Sequence, residues 1–150
     1  MDTLDLKILR TLQARGRISN QDLSEVVALS PSACHRRVQR LEADGIIRGY
    51  VALLDARRIG RRATVFVEIT LAGQADDILD AFERAVARIP DVLECHLMAG
   101  TADYLLKVSS EDSEDFARIH RQHLSRLPHV AQMHSSFALR TVVDTTALPL

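Results

Sequence analysis

Residues 30–50 read SPSACHRRVQRLEADGIIRGY, a stretch that sets Arg36, Arg37, Arg40 and Arg48 close together in a chain whose formal charge is only −1. Ser30 offers a side-chain oxygen to the free N–H groups that open a helix. Pro31 sits at the first helical position, where its missing N–H costs nothing. Gly45 supplies a stop just after Asp44. At about 100° per residue, Cys34, Val38 and Leu41 fall within roughly 60° of one another and form the buried stripe of this helix. Ser32, Arg36 and Gln39 take the opposite face, His35 and Arg40 flank it, and Arg37 lies nearer the core edge. Cys34 is therefore read as a small buried hydrophobe. No acid or second histidine stands at a spacing suited to thiol or metal chemistry beside it.

Working outward, Leu4, Ile8, Leu9 and Leu12 have helical spacing and Gly16 ends that run. Ser19 or Asn20 caps a short second helix that is expected to bury Leu23, Val26 and Val27. The stretch IIRGYVALLD that follows the arginine helix reads as a strand. Three short helices and a strand are the outline of a winged helix-turn-helix, and helices this short hold only by sharing one core. The exposed face suits a major groove. Arg bridges guanine O6 and N7, Gln bridges adenine N6 and N7, and Ser bonds a base edge or phosphate. Arg37, Arg40 and Arg48 are placed for phosphates, which position a protein without reading sequence. The competing reading of these residues is a solvated charged face on a packing helix.

The charge distribution favours the polyanion. Residues 1–62 hold 12 basic and 7 acidic side chains, whereas residues 63–150 hold 7 basic and 13 acidic, so a basic first part precedes an acidic remainder. The two cysteines, Cys34 and Cys95, lie far apart, which excludes a disulfide framework and a CxxC ligand pair. No apolar run approaches membrane-spanning length and no signal peptide precedes the first helix. A cytoplasmic protein without membrane contact or cofactor is expected.

Beyond Arg62 the period changes. Val65, Val67, Ile69 and Leu71 alternate with Phe66, Glu68 and Thr70 as a strand. Ile78, Phe82, Val86 and Ile89 mark one face of a helix. VLECHLMA and DYLLKVS are strands separated by a turn at Gly100. Phe116, Ile119, His123 and Leu127 mark a second helix. Met133, Ser135, Phe137, Leu139, Thr141 and Val143 line one side of a last strand. The fold class is thus α+β, a winged helix-turn-helix followed by a ferredoxin-like βαββαβ domain. Its expected divisions are residues 1–50, a linker strand and hinge at 51–62, and 63–150.

The stretches LDLKIL, GRISNQDLS, LSPSACHRRVQRLEADGIIRGYVALLD, VFVEITL, ECHLMAG, DYLLKV and LPHV, in that order, resemble the Lrp/AsnC family of bacterial and archaeal transcription factors. The resemblance runs almost end to end. It implies a helix-turn-helix at about residues 20–39, with Asn20, Ser30, Ser32, His35, Arg36, Arg37, Gln39, Arg40 and Arg48 facing double-stranded DNA. It also implies a homodimer formed through the second domain, an octamer of four dimers, and a small effector, usually an amino acid, between sensing domains. Carried over by position, the effector site takes the turn Leu97, Met98, Ala99, Gly100, Thr101, Ala102, Asp103 and Tyr104. It also takes Ser113 at the start of the second sensing helix, and Ser135, Ser136, Phe137 and Ala138. The chemistry fits. Gly100 allows close approach, neighbouring N–H groups hold a carboxylate, and Asp103 accepts from an ammonium. The plainer reading of the same turn has Asp103 tying down its own backbone.

Three other functions remain to be weighed. Catalysis lacks any HExxH, CxxC or clustered carboxylates. A metal-responsive regulator would draw on His120 and His123, three apart on a helix. A nucleoid-type protein that coats DNA would share the basic helix and differ only in specificity.

Overall fold

The computed structural model describes residues 1–150. The chain divides into two compact units, residues 1–53 with Val143–Leu150, and Leu54–Val142.

In the first unit α1 (Thr3–Ala14), α2 (Asn20–Val27) and α3 (Pro31–Ala43) share one core of Ile8, Leu9, Leu23, Val27, Cys34 and Leu41. Each helix start is capped as the sequence requires. Asp2 and Asp5 exchange backbone-to-carboxylate bonds at α1, Ser19 accepts from Asp22 N–H at α2, and Ser30 accepts from Ala33 N–H at α3. Gly45 follows the end of α3 with φ +71°, a left-handed turn that glycine adopts without strain. Val26, expected in the core, is exposed instead. α2 buries Leu23, Ser24 and Val27, so its buried stripe runs through Ser24 rather than Val26.

The expected strand after α3 does not form. Residues 46–55 are without strand pairing and lead into turns at 56–60. A strand needs a neighbour to take its N–H and C=O groups, and residues 46–55 pair with none, so the wing and the linker strand are not formed in the single chain. The first unit is completed from the other end of the sequence. Gln13 binds both backbone groups of Leu148, donating to its carbonyl at 3.0 Å and accepting from its N–H at 2.6 Å, and Arg10 Nε donates to the Leu150 carbonyl at 2.9 Å. By their contacts, residues 143–150 group with the helices.

The second unit is one antiparallel sheet, order β2-β3-β1-β4, built from β1 (Ala63–Leu71), β2 (Val92–Leu97), β3 (Tyr104–Ser110) and β4 (Val130–Phe137). With α4 (Asp76–Val86) and α5 (Ser113–Gln122), this is the expected βαββαβ order. Val65, Val67, Ile69, Leu106 and Val108 are buried with Phe82, Ile119 and Leu124. The opposite register positions, Phe66, Glu68, Lys107 and Ser136 among them, fall on the sheet's other face. β4 stops at Phe137, short of the expected Val143. Its last ladder bond is Ala138 N–H to Thr64 O, β1 begins one residue earlier at Ala63, and Leu139 is 98% exposed. Arg61 anchors the start of β1 by bonding Asp91 and the Ser109 carbonyl, so the hinge is fixed at its downstream end. No helix is long and apolar enough to cross a membrane.

Candidate DNA interface and effector site

α3 presents Ser32, His35, Arg36, Gln39 and Arg40 on its exposed side, while Cys34 and Leu41 are buried beneath. Burial pushes the Cys34 thiol up from its ordinary range, away from a reactive thiolate. Ser30 is spent on the helix cap and lies 3.3 Å from the Ser32 hydroxyl. Asn20 donates to the Pro31 carbonyl at 2.9 Å, which links α2 to α3.

Arg37 likewise turns inward. Its Nη1 donates to Asp2 Oδ2 at 2.7 Å and to Asp5 Oδ1 at 2.8 Å, and only 24% of its side chain is exposed. Arg40 Nη2 donates to Asp5 Oδ2 at 2.8 Å but keeps 53% of its side chain exposed. The ion pairs of α3 are all made by these two arginines, which leaves Arg36, Gln39 and His35 open to an outside partner. Arg48 lies exposed after the left-handed turn. Asp5 was not foreseen as a functional residue. Its signal was the Asp2–Asp5 spacing at a helix start, the pattern of a reciprocal cap.

In the sensing unit the expected effector residues fall into two groups. The turn of residues 98–103 is closed by Met98 N–H to Asp103 O and Asp103 N–H to Ile69 O, both at 2.8 Å. None of its backbone bonds uses the N–H groups of Ala99, Gly100, Thr101 or Ala102, and a Cβ built on Gly100 meets nothing within 4 Å. Thr101 and Ala102 line a recess of about 190 Å³ with Glu68, Thr70, Gln132, Met133 and His134. Leu97 and Tyr104 border a second, larger groove of about 510 Å³ along β2 and α4, with Val86, Val92, Leu93, Cys95 and Glu83. The Tyr104 hydroxyl donates to Glu83 at 2.7 Å; burial first, then this carboxylate, pushes it far up.

Asp103 is 8% exposed and already engaged. One oxygen accepts from Leu71 N–H and the other from Gln74 Nε2, each at 2.7 Å. Neither contact is to the turn's own backbone: Asp103 ties the turn to the end of β1 and to the Gln74 side chain.

Phe137 and Ala138 are not brought to that turn, and Ser135, paired with Val67, stands between the two ends. Phe137 pairs with Val65, whereas Tyr104 pairs with Ile69, four residues along β1 and so about 13 Å away. Phe137 instead stacks edge-on against Phe116 at 5.3 Å, one turn into the helix that Ser113 opens. The single chain thus places Phe137 and the turn of residues 98–103 towards opposite ends of its sheet. Strand register separates them, which spacing alone did not reveal. His120 also lies by Phe116, and His123 caps the end of α5. No group of three or more His, Cys, Asp or Glu side chains is set to hold a metal ion.

Comparison with known proteins assigns both units. The winged helix-turn-helix DNA-binding profile matches residues 1–48, and the Lrp/AsnC ligand binding domain matches residues 64–148. The chain belongs to the Lrp/AsnC family. Among Lrp/AsnC relatives, the leucine-responsive regulatory protein of Escherichia coli is 40% identical over 148 residues, covering 99% of this chain and 90% of that one. An AsnC family transcriptional regulator from Agrobacterium tumefaciens superposes with a TM-score of 0.95 at 38% identity, covering 99% and 97% of the two chains. A transcriptional regulator from Neisseria meningitidis, solved as its complex with L-Met, gives a TM-score of 0.93 at 38% identity, covering 99% and 96%. As a member of the Lrp/AsnC family the chain is a transcriptional regulator that pairs a DNA-binding domain with an effector-binding one. The comparisons support neither the DNA-coating nor the metal-responsive reading.

Proposed function

We propose that this regulator reads DNA through Ser32, His35, Arg36 and Gln39, with Arg40 and Arg48 on flanking phosphates. We further propose that an apolar amino acid held between sensing domains of different subunits controls its assembly and DNA affinity. The observation that carries the second part is the separation of Phe137 from the turn of residues 98–103. The turn with four uncommitted N–H groups suits a carboxylate, with Asp103 beside it for the ammonium, while Phe137 and Ala138 lie too far along the sheet to close over it and Ser113 opens the helix packed on Phe137. A second chain brings its own end cluster to the turn, so a complete site forms only on assembly. The L-Met complex of the Neisseria relative supports an apolar amino acid as the ligand class. Dimers and octamers of four dimers, and a cytoplasmic location, accompany this reading.

A thermal-shift screen of the twenty amino acids with light scattering tests it. An apolar amino acid is expected to raise Tm and change particle size together. Stabilisation without any change in assembly would place the site within one chain. For the DNA face, Arg36→Ala is expected to lose about 2 kcal/mol on a selected duplex and to relax preference at one base position, as for an Arg–guanine pair. Unchanged binding to every sequence would rule out Arg36 as a reader.

A further inference from the structure

Asp5 sits on α1, away from the expected DNA face, yet it gathers more of that face than any other side chain. Its carboxylate accepts from Asp2 N–H at 2.9 Å, from Arg37 Nη1 at 2.8 Å and from Arg40 Nη2 at 2.8 Å, with 1% of the side chain exposed. Along α3, Arg40 stands one turn from Arg36 and on the α1 side of it, with Arg37 one step further round. The bond to Asp5 therefore holds Arg40 by one nitrogen at the border of the reading face while the rest of its guanidinium remains in solvent. A long arginine left free samples many rotamers, and fixing it on contact costs binding free energy. Held in advance, it is ready for one phosphate in one register.

We propose that Asp5 is a positioning residue for DNA recognition. It fixes Arg40 as a phosphate contact, with Arg37 as the brace that balances its second negative neighbour, Asp2. The inference rests on the family's DNA binding and adds a residue outside the reading helix. Two carboxylates and two guanidiniums make the cluster neutral. Arg37 and Arg40 then add little to the attraction for any duplex, and the gain lies in register. Asp5 touches no DNA in this account; it acts through Arg40.

The test compares a duplex selected by the wild-type protein from a random-sequence pool with a pooled random duplex of equal length, both titrated over a range of salt. Asp5→Asn is expected to weaken the selected duplex about tenfold while random-duplex affinity holds or rises, because one negative charge is gone. Asp5→Asn leaves a guanidinium unpaired and risks misfolding. The double variant Asp5→Asn/Arg37→Gln keeps the net charge and is expected to show the same tenfold loss on the selected duplex alone. Equal losses on both duplexes in folded protein, or no loss on either, would overturn the proposal. In the wild-type protein without DNA, the Arg40 Nη2 protons that bond Asp5 are expected to give a resolved, slowly exchanging resonance. Rapid exchange there would overturn it independently of any variant.

Discussion

Asp5 in the DNA-binding unit and Asp103 in the sensing unit are both buried acids, at 0% and 8% exposure, yet their partners differ in kind. Asp5 faces two cations from α3 and one N–H group. Asp103 faces only neutral donors, the Leu71 N–H and the Gln74 amide. The first acid orders Arg37, which turns inward, and Arg40, half of which reaches solvent. The second orders backbone, fixing the turn that leads into β3 against the end of β1. Burial of a carboxylate is thus no guide to its purpose; the donors around it are. A cation partner moves with its side chain, whereas a backbone partner moves only with the sheet.

The largest effect that would sharpen this contrast is on stability. Asp103→Ala leaves the Leu71 N–H without its acceptor and is expected to cost the sensing unit about 2 kcal/mol, read by urea unfolding. Asp103→Asn keeps an acceptor for Leu71 and is expected to retain most of that stability. The Asn variant also separates clamp from ligand contact. If it keeps stability but loses the amino-acid response, the charge serves the ammonium; if it keeps both, Asp103 is a clamp alone.

A smaller effect concerns acid. The Asp5 N–H group and then Arg37 hold Asp2 down from 3.8 to about 2. Burial would push Asp5 up, but the Asp2 N–H, Arg37 and Arg40 outweigh it and hold that carboxyl below its usual range as well. A carboxyl depressed in the folded state stabilises fully above its unfolded value, and that contribution is lost as pH falls through the folded one. The α1 amides are therefore expected to lose protection factor as pH drops from about 4 towards about 2, and Asp5→Asn to flatten that loss. An identical slope in both proteins would break the comparison.

The smallest effect is at the cysteines. Cys34→Ala is expected to cost about 1 kcal/mol as a small core truncation while leaving DNA affinity near wild type. Burial, with the Glu83 charge adding to it, pushes Cys95 up to about 11, and burial alone raises Cys34. Both are expected to label slowly with a thiol reagent, with half-buried Cys95 ahead of fully buried Cys34. Faster labelling of Cys34 would mean that the core under α3 opens.

The helices and the βαββαβ order were legible because their signals are local. Ser30-Pro31 and Gly45 bracket α3, and alternation from Val65 to Leu71 marks β1. What escaped depends on contacts distant in sequence. Arg37 and Arg40 meet Asp5 across 32 and 35 residues, and Asp103 meets Leu71 across 32. An exposed-looking arginine on a helical wheel gives no hint that another helix supplies its carboxylate. The expected strands at residues 46–55 and beyond Phe137 failed for a related reason, since alternation reports a side-chain pattern and not a neighbour to bond. Family position named both groups of expected effector residues, but only strand register showed that Phe137 and the turn before Tyr104 lie apart along β1.

The grip of Gln13 and Arg10 on Leu148 and Leu150 gives the DNA-binding unit an unusual order of construction. Its helices are translated before the sensing sheet, and Leu148 and Leu150, which bind them, after it. The unit is begun before the sheet and completed only once the whole sheet has been made. A fragment cut at the hinge would carry every helix of the DNA reader but lack the segment that occupies the outer side of α1.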